Sequence, residues 1–273
     1  MVKIAVLGAT GRMGRTLVGC IAAAPDLTLT GALTEPKDPA LGRDAGEAAG
    51  AAVARVPLTD DRRQALHGAQ VAIDFTLPEA LEANVRACDE AGTALVIGTT
   101  GFTERHYAAM RRAAHHIPLV YGRNMSVGVN VFMELVARAA AALGEEYDVE
   151  IAEAHHRQKV DAPSGTALAL GEAVAGARGR KLEDVAVRTR DGQVGPRVPG
   201  TIGFSVVRGG NIVGEHTVMF LAPEERLELT HRASDRATFA QGALRAARWA
   251  AGRAPGFYTM ADVLGFAADR SDP

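Results

Sequence analysis

The chain has 273 residues, of which 47% are hydrophobic and 23% are charged, values typical of a folded globular protein rather than a disordered one. Its 30 basic and 32 acidic residues leave a formal net charge of −2, so no broad positive surface favours nucleic acid or an anionic membrane as a partner. A single core rarely grows beyond about 250 to 300 residues, and the length therefore favours two domains.

Two cysteines, Cys20 and Cys88, lie in apolar segments with helical spacing. They indicate packed thiols in a reducing compartment rather than a disulfide framework. No apolar run approaches the about 18 residues needed to cross a bilayer. The N-terminal "MVKIAVLGAT" has an apolar core too short for a secretion signal. We therefore expect a cytoplasmic protein without a membrane partner.

Strands and helices alternate through the first part of the chain. "VKIAVLG" has the branched apolar composition of a strand buried on both faces, and the helical pattern that follows it stops at Pro25 before a second strand, "LTLTGAL". Further strands are predicted at 71–75, 94–98 and 117–122, with helices at 78–91 and 103–115. This alternation predicts a Rossmann-like, doubly wound parallel sheet in an α/β domain.

The loop "GATGRMG" lies between the first strand and its helix. Glycines at this position let the backbone turn tightly and approach a pyrophosphate at the positive end of the helix. The spacing is GxxGxxG rather than GxGxxG, and glycine-rich packing of the helix on the strand is the alternative. The residues that we expect to contact a dinucleotide here are Gly8, Ala9, Thr10, Gly11, Arg12 and Met13.

The segment "ALTEPKD" at the end of the second strand should meet the adenosine ribose. An acidic residue there accepts hydrogen bonds from the ribose hydroxyls, whereas a basic residue pairs with the extra phosphate of NADP. Glu35 is the natural acid, but Lys37 and Arg12 lie close enough in sequence to receive a phosphate. The preference between NADH and NADPH therefore stays open.

Two further loops follow buried strands, where ligands of doubly wound folds bind. "VIGTTGF" supplies Gly98, Thr99 and Thr100, and "YGRNMS" begins the transition to the second domain. An ordinary turn is the alternative for both loops.

The pattern changes after residue 124. A long apolar helix is predicted at 129–143, then the strand "YDVEIAEA", a helix at 163–177 and a loop rich in glycine and arginine. The strands "TIGFSVVR", "EHTVMFLA" and "RLELTHRA" follow with short turns between them. We expect an α+β domain with a mixed, mostly antiparallel sheet, and a final helix from about residue 236 that could pack on either domain.

The stretch "EAHHRQKV" ends the predicted strand at His155 and His156. Adjacent strand residues point to opposite faces, so the two histidines should have different roles. A single histidine here would more often be a surface or packed residue. Two histidines followed by Arg157 and Lys159 concentrate proton donors and positive charge, and histidine titrates near neutral pH.

"DAPSGTA" then opens a helix whose first turn can hold a carboxylate. Pro163 favours the first helical turn, Ser164 and Thr166 bring hydroxyl groups, and Gly165 permits close approach. We expect Asp161 to cap this helix. No metal site is expected, because the segment lacks an HExxH pattern and clustered cysteines.

The order of these motifs resembles the 4-hydroxy-tetrahydrodipicolinate reductase family, also called the dihydrodipicolinate reductase family. The matching stretches cover nearly the whole chain: "GATGRMG", "DFTLPEA", "VIGTTGF", "NMSVGVNV", "EAHHRQKVDAPSGTA", "RVPGTIGF" and "GEHTVMF". The resemblance implies reduction of a small dicarboxylate with NADH and/or NADPH in diaminopimelate and lysine biosynthesis. It also implies a homotetramer joined through the sheets of the second domain.

The resemblance assigns roles to residues of this sequence. His155 would be the proton donor and acceptor, and Lys159 a second donor. The substrate would be bound by His156, Ser164, Gly165 and Thr166. The cofactor would contact the glycine loop and the two later loops, through Gly98, Thr99, Thr100, Gly122, Arg123, Asn124 and Met125. The final helix would return to the nucleotide domain, which would span 1–126 and 241–273 around a substrate-binding and oligomerisation domain at 127–240.

The chain departs from the family pattern at two positions. The ribose acid of the family directly follows an Ala-Leu pair, often with an arginine after it, whereas Thr34 and then Glu35 follow here. The arginine common after "DFT" is Leu77. Both departures leave cofactor preference open.

Two rival functions remain at this point. One is a homoserine or semialdehyde dehydrogenase, and a phosphorylating semialdehyde enzyme needs a nucleophilic cysteine that neither Cys20 nor Cys88 is placed to supply. The other is a nucleotide sensor without catalysis, which has no need of the His-His-Lys cluster.

Overall fold

A computed structural model describes residues 1–266 of the chain, which divide into two compact units. Unit 1 consists of Met1–Val127 and the segment that begins at Ala237, and unit 2 is Gly128–Arg236. The expected limits of 127–240 would put the second boundary inside the last long helix. The observed boundary lies before that helix, after Arg236. Residues 267–273 of the expected nucleotide domain lie outside the described residues.

The strands are short, as is usual for buried parallel strands. In chain order they are β1 (Val2–Leu7), β2 (Leu27–Leu33), β3 (Leu58–Thr59), β4 (Val71–Asp74), β5 (Ala94–Ile97), β6 (Pro118–Tyr121), β7 (Asp148–His155), β8 (Ala186–Val187), β9 (Ile202–Arg208), β10 (Gly214–Leu221), β11 (Arg226–Ala233) and β12 (Gly256–Thr259).

The helices alternate with these strands in the first half of the chain. They are α1 (Arg12–Ala22), α2 (Ala45–Ala48), α3 (Arg62–Leu66), α4 (Leu81–Ala91), α5 (Glu104–Ala113), α6 (Val127–Leu143), α7 (Gly165–Ala177), α8 (Leu182–Val185), α9 (Ala237–Ala250) and α10 (Met260–Leu264). Single 3₁₀ turns precede α4 at Pro78–Ala80 and follow α6 at Gly144–Glu146.

Unit 1 is built on a seven-stranded parallel sheet with the order β12-β6-β5-β4-β1-β2-β3. All four residues of β4 and of β5 are buried because helices cover both faces of the sheet. One apolar core contains α1 and α9, and the other contains α4 and α5. The prediction of a doubly wound sheet is confirmed.

The last described segments complete unit 1. Helix α9 contacts α1 and the strands β4, β5 and β6, while β12 pairs in parallel with β6. Arg248 on α9 binds Asp26 through two hydrogen bonds of 2.5 and 2.9 Å. The final helix therefore packs on unit 1, the part of the chain to which the resemblance assigned it. Strand β12 was not predicted, because four residues give too short a pattern to separate from a loop.

Unit 2 contains a five-stranded sheet with the order β11-β10-β7-β9-β8. Strands β10 and β11, and β10 and β7, pair antiparallel, whereas β7, β9 and β8 pair in parallel. The inner face of this sheet packs on α6 and α7. The mixed sheet was predicted correctly, but β9 and β10, which a short turn joins, are not neighbours in it. Strand β7 lies between them and pairs with both.

Helix α6 and its 3₁₀ turn form the one segment of the described residues that could cross a membrane by length and composition. Val127–Glu146 has a mean hydropathy of 1.4. The expectation concerned uninterrupted apolar runs, and Glu134 and Arg138 do interrupt this helix, although its average hydropathy stays high. Core helices of folded proteins share this composition, and Phe132 and Val136 of α6 are buried in the core of unit 2.

Candidate active site

The glycine loop of unit 1 has the backbone geometry of a phosphate cradle. Gly8 has a φ of +82°, and a Cβ at Gly14 would collide with the Gly8 carbonyl oxygen. Gly11 caps α1 without a side-chain hydrogen bond, so no side chain occupies the amide groups of the first turn. A pyrophosphate fits this cradle in both shape and charge.

The second and third predicted cofactor loops lie at the same sheet edge. The glycine loop follows β1, Gly98–Thr100 follows β5 and Gly122–Met125 follows β6, and all three strands run in one direction. Gly98 lies against the Phe75 ring, where a Cβ would collide with the ring atoms. The structure therefore brings three separate stretches of sequence to one edge of unit 1.

Buried polar side chains form a hydrogen-bonded network at this edge of the sheet, where β4 ends. The Asp74 carboxylate accepts hydrogen bonds from the backbone N–H of Thr76 at 2.7 Å and from Nδ2 of Asn84 at 2.9 Å. Thr99 donates its hydroxyl to the carbonyl of Thr76 at 2.9 Å. Burial raises the pKa of Asp74, against the hydrogen bonds that lower it. Sequence analysis did not single out Asp74 or Asn84, although "DFT" lies within a quoted motif.

The end of β2 differs from expectation. Glu35, the expected ribose acid, is exposed. Asp38 is half-buried, and its carboxylate accepts hydrogen bonds from the hydroxyl of Thr34 at 2.8 Å and the backbone N–H of Ala40 at 2.8 Å. The Thr34 hydroxyl also lies 2.7 Å from that of Thr10 in the glycine loop.

Strand β7 of unit 2 places Glu153 and His155 on its buried face. The Glu153 side chain is fully buried, and its carboxylate lies 2.5 Å from Nδ1 of His155. Arg208 donates two hydrogen bonds of 2.8 Å to the same carboxylate, and the backbone N–H of Ser164 donates a third of 3.0 Å. Every oxygen of this buried carboxylate is therefore satisfied.

The charges of this cluster follow from these bonds. Burial raises the pKa of Glu153, but the hydrogen bonds from Arg208 and His155 outweigh it, so that the net shift is downward and the carboxylate is ionised. Burial lowers the pKa of His155, and the neighbouring Glu153 opposes that shift. Since Nδ1 donates to Glu153, Nε2 of His155 is the nitrogen that can exchange a proton with a ligand.

His216 on β10 adds a second buried histidine to the cluster. Its Nε2 lies 3.0 Å from the Ser164 hydroxyl, and its ring contacts that of His155 edge-to-face at 5.1 Å between centroids. Burial, assisted by the charge of His155, lowers the pKa of His216 to about 4. His216 is therefore neutral at pH 7. The signal that could have found it is the histidine at a core-facing position in the alternating strand "GEHTVMF".

Lys159 and Asp161 form an ion pair of 2.9 Å in the loop after β7. The expectation that Asp161 caps α7 is wrong. Ser164 is the cap, since its hydroxyl accepts the backbone N–H of Ala167 at 3.2 Å. Pro163 consequently precedes the cap and does not start the helix.

The remaining predicted substrate residues surround the start of α7 and the end of β7. Gly165 and Thr166 form the first turn of α7, and no atom lies within 4 Å of the position that a Cβ of Gly165 would take. His156 is half-buried, and Arg157 is exposed. The open space at Gly165 allows a carboxylate to approach the helix start.

The cysteines take no part in either cluster. Cys88 is buried within α4, where burial raises the pKa of its thiol, and Cys20 lies within α1. A catalytic cysteine needs a lowered thiol pKa and access to the ligand. The semialdehyde dehydrogenase alternative therefore loses its nucleophile. Among residues 1–266, no group of three or more potential metal ligands is found.

A glycine loop at the carboxyl edge of a doubly wound parallel sheet is typical of dinucleotide-binding proteins, and a histidine beside a buried carboxylate can transfer a proton. Family models described as "Dihydrodipicolinate reductase, N-terminus" and "Dihydrodipicolinate reductase, C-terminus" match residues 2–125 and 128–264. The chain belongs to the dihydrodipicolinate reductase family.

Similar proteins agree with this membership. The chain is 56% identical over 264 residues to a 4-hydroxy-tetrahydrodipicolinate reductase of Thiobacillus denitrificans, covering 97% of this chain and 98% of the relative. It is 54% identical over 263 residues to the enzyme of that name from Alkalilimnicola ehrlichii, covering 96% and 98%. The dipicolinate-bound dihydrodipicolinate reductase from Paenisporosarcina sp. TG-14 has a similar fold, with a TM-score of 0.76, 22% identity and coverage of 95% and 97%.

Proposed function

We propose that the protein reduces (2S,4S)-4-hydroxy-2,3,4,5-tetrahydrodipicolinate to (S)-2,3,4,5-tetrahydrodipicolinate with NADH or NADPH, in diaminopimelate and lysine biosynthesis. One hydride and one proton are consumed, and the hydroxyl group leaves as water. The observation that carries this proposal is the pairing of His155 with the buried, ionised Glu153 beside Lys159, in a chain of this family.

Unit 1 holds the nucleotide in this proposal. The bound nicotinamide supplies the hydride. The glycine loop binds the pyrophosphate through backbone amides, and the loops after β5 and β6 border the rest of the cofactor. The residues assigned to this task are Gly8, Ala9, Thr10, Gly11, Arg12, Met13, Gly98, Thr99, Thr100, Gly122, Arg123, Asn124 and Met125. Glu35 is the acid that the sequence predicts at the adenosine ribose.

Unit 2 supplies the proton. Addition of a hydride to a ring conjugated with a C=N bond leaves negative charge on the neighbouring atoms. Lys159 stabilises that charge, and Nε2 of His155 delivers the proton. His155 has a lowered pKa in the ligand-free protein, and the negative charge of a bound dicarboxylate favours its protonated form.

The same unit binds the two substrate carboxylates. The start of α7, at Ser164, Gly165 and Thr166, receives one carboxylate at the positive end of the helix, and His156 with Lys159 meets the other. A near-neutral protein needs such local anion sites to hold a dicarboxylate.

The protein is further proposed to be a cytoplasmic homotetramer joined through the sheets of unit 2. Helices α6 and α7 cover the inner face of this sheet, and no helix of the described part of unit 2 covers its outer face. Met219 of strand β10 lies on that outer face, between Glu150 of β7 and Glu228 of β11.

A coupled assay with the preceding synthase tests the reaction by following the oxidation of NADH or NADPH. We expect His155→Gln and Lys159→Ala each to lower kcat by roughly 10²-fold, the usual contribution of a positioned acid or base. The dissociation constant of NADH should not change. Matched controls are His115→Gln and Lys181→Ala, both at exposed positions.

Near-normal turnover in both site variants would contradict the mechanism. A wild-type protein that binds NADH but oxidises none in the coupled assay would support the sensor alternative instead.

A further inference from the structure

A chain of hydrogen bonds joins the end of β2 to the glycine loop. The hydroxyl groups of Thr10 and Thr34 lie 2.7 Å apart, and Thr34 donates to Oδ2 of Asp38 at 2.8 Å. The backbone N–H of Ala40 holds the other oxygen, Oδ1, at 2.8 Å. Both oxygens of the Asp38 carboxylate therefore accept hydrogen bonds, which fix its position.

This position is the one at which a doubly wound fold meets the adenosine ribose. Thr34 directly follows β2, the neighbour of β1 in the sheet. The backbone N–H groups of Gly8 and Ala9 donate to the carbonyl of Leu33 at 3.0 and 2.8 Å, which ties the glycine loop to the end of β2. A carboxylate at the end of the second strand accepts hydrogen bonds from ribose hydroxyls.

The Glu35 carboxylate has no hydrogen bonds of the kind that hold Asp38 in place. It is exposed, and within residues 1–266 its side chain takes part in no hydrogen bond or ion pair. A ligand that binds through an exposed side chain must order that side chain, which costs conformational entropy. A carboxylate that the protein already holds in place avoids this cost on binding.

We propose that Asp38, positioned by Thr34 and Thr10, is the carboxylate that binds the adenosine ribose and makes the protein discriminate in favour of NADH over NADPH. The inference rests on the proposed function, because it presumes that unit 1 binds the nucleotide. Hydrogen bonds from Thr10, Ala40 and Thr34 lower the pKa of Asp38, which keeps it ionised at neutral pH.

The discrimination has two physical parts. The two oxygens of an ionised carboxylate have about four lone-pair sites, so Asp38 can accept a ribose hydroxyl beside its contacts with Thr10, Thr34 and Ala40. A 2′-phosphate at the same place cannot donate a hydrogen bond and is repelled by the carboxylate charge. Within residues 1–266 neither Arg12 nor Lys37 forms an ion pair with Asp38, and the charge of Arg15 favours its ionised form.

Direct binding measurements test the inference without relying on turnover. Dissociation constants of NADH and NADPH are measured by titration calorimetry, and those of AMP and 2′,5′-ADP isolate the adenosine end. Asp38→Asn keeps an oxygen for the Ala40 N–H but removes the charge. We expect it to weaken NADH roughly tenfold or more, the scale of a hydrogen bond to a charged group, and to tighten NADPH.

Three further variants make the test specific. Glu90→Gln removes one negative charge from an exposed site on α4 and should leave both dissociation constants unchanged. Glu35→Gln should shift the NADH to NADPH ratio much less than Asp38→Asn does. Thr34→Val keeps Asp38 but removes the hydroxyl that fixes it, and should shift the ratio in the same direction as Asp38→Asn. It therefore serves as the test if Asp38→Asn does not fold.

An unchanged ratio in Asp38→Asn and Thr34→Val would overturn the inference, as would a large shift in Glu35→Gln alone. Either result would leave the proposed reduction intact as long as wild-type protein still binds NADH or NADPH. A wild-type protein that binds neither nucleotide would overturn both the inference and the proposed function.

Discussion

Glu153 is a fully buried carboxylate whose partners come from three separate parts of the chain. It binds His155 on its own strand, Arg208 on β9 and the backbone of Ser164 at the start of α7. Its charge raises the pKa of His155 against the effect of burial. Glu153 thereby positions His155 and sets which of its nitrogens carries the exchangeable proton.

The Glu153→Gln variant should lower kcat by roughly tenfold or more, because a neutral amide neither orients His155 as firmly nor stabilises its protonated form. A general acid must be protonated, so activity is lost as pH rises through its pKa. Without the Glu153 charge the pKa of His155 falls further, and the limb of the kcat/KM profile assigned to His155 should move to lower pH. The profile is measured with wild-type protein and with Glu183→Gln as an exposed control. A limb at the same pH in Glu153→Gln would contradict this role.

Site residues that lie within one short stretch of sequence could be given a chemical role from the sequence alone. Their partners from distant parts of the sequence could not. His155, Lys159 and Ser164 fall within one stretch. Arg208 lies 55 positions from Glu153, and His216 lies 52 positions from Ser164. Nothing local shows that Arg208 pairs with Glu153 or His216 with Ser164, because only strand pairing brings them together.

Among the elements, the arginine-rich loop after β8 is held onto the sheet of unit 2 by Glu150. Arg190 donates two hydrogen bonds of 2.9 and 2.8 Å to the Glu150 carboxylate, and Arg197 donates one of 3.2 Å. Gly203 on β9 makes room for that carboxylate, since a Cβ there would collide with it.

The Gly203→Ala variant should displace Glu150 and release Arg190, whereas Arg197 keeps its bonds to Asp148 and to the carbonyl of Val149. Trypsin should then cleave after Arg190 several times faster than in wild type, because the opened part of the loop reaches the protease more often. Fragment masses over a time course measure this. Gly176→Ala is the matched control, since a Cβ at that position on α7 meets nothing within 4 Å. Equal cleavage rates in Gly203→Ala and wild type would contradict the role of Gly203.

Element types were predictable where the pattern of apolar residues is local. The longer strands of unit 1 and helices α1, α4 and α5 follow from buried runs and helical spacing, whereas the two-residue β3 and the short α2 and α3 were not predicted. The insertion of β7 between β9 and β10 was not predictable, because a short turn indicates a reversal of direction but not which strand lies alongside.

For the whole molecule, assembly through the sheet of unit 2 is open to a direct test. Light scattering after gel filtration should give wild-type protein a mass about four times the 28.5 kDa of one chain. Met219→Glu introduces a third carboxylate on the outer sheet face, beside Glu150 and Glu228, and should give a smaller species, because an unpaired charge is costly to bury in an interface. Val53→Glu, at a 61% exposed position in unit 1, should leave the mass unchanged. A tetramer in Met219→Glu would contradict assembly through this face.

Unit 2 is inserted into unit 1, and this has a consequence for synthesis on the ribosome. When residue 236 has just been joined, every strand from β1 to β6 exists, but α9 has not been made. The apolar surface that will receive Ala243, Leu244 and Ala247 is then still open. Unit 2, in contrast, is one continuous stretch with its own apolar core. All the residues of unit 2 are therefore joined before those of unit 1 are complete.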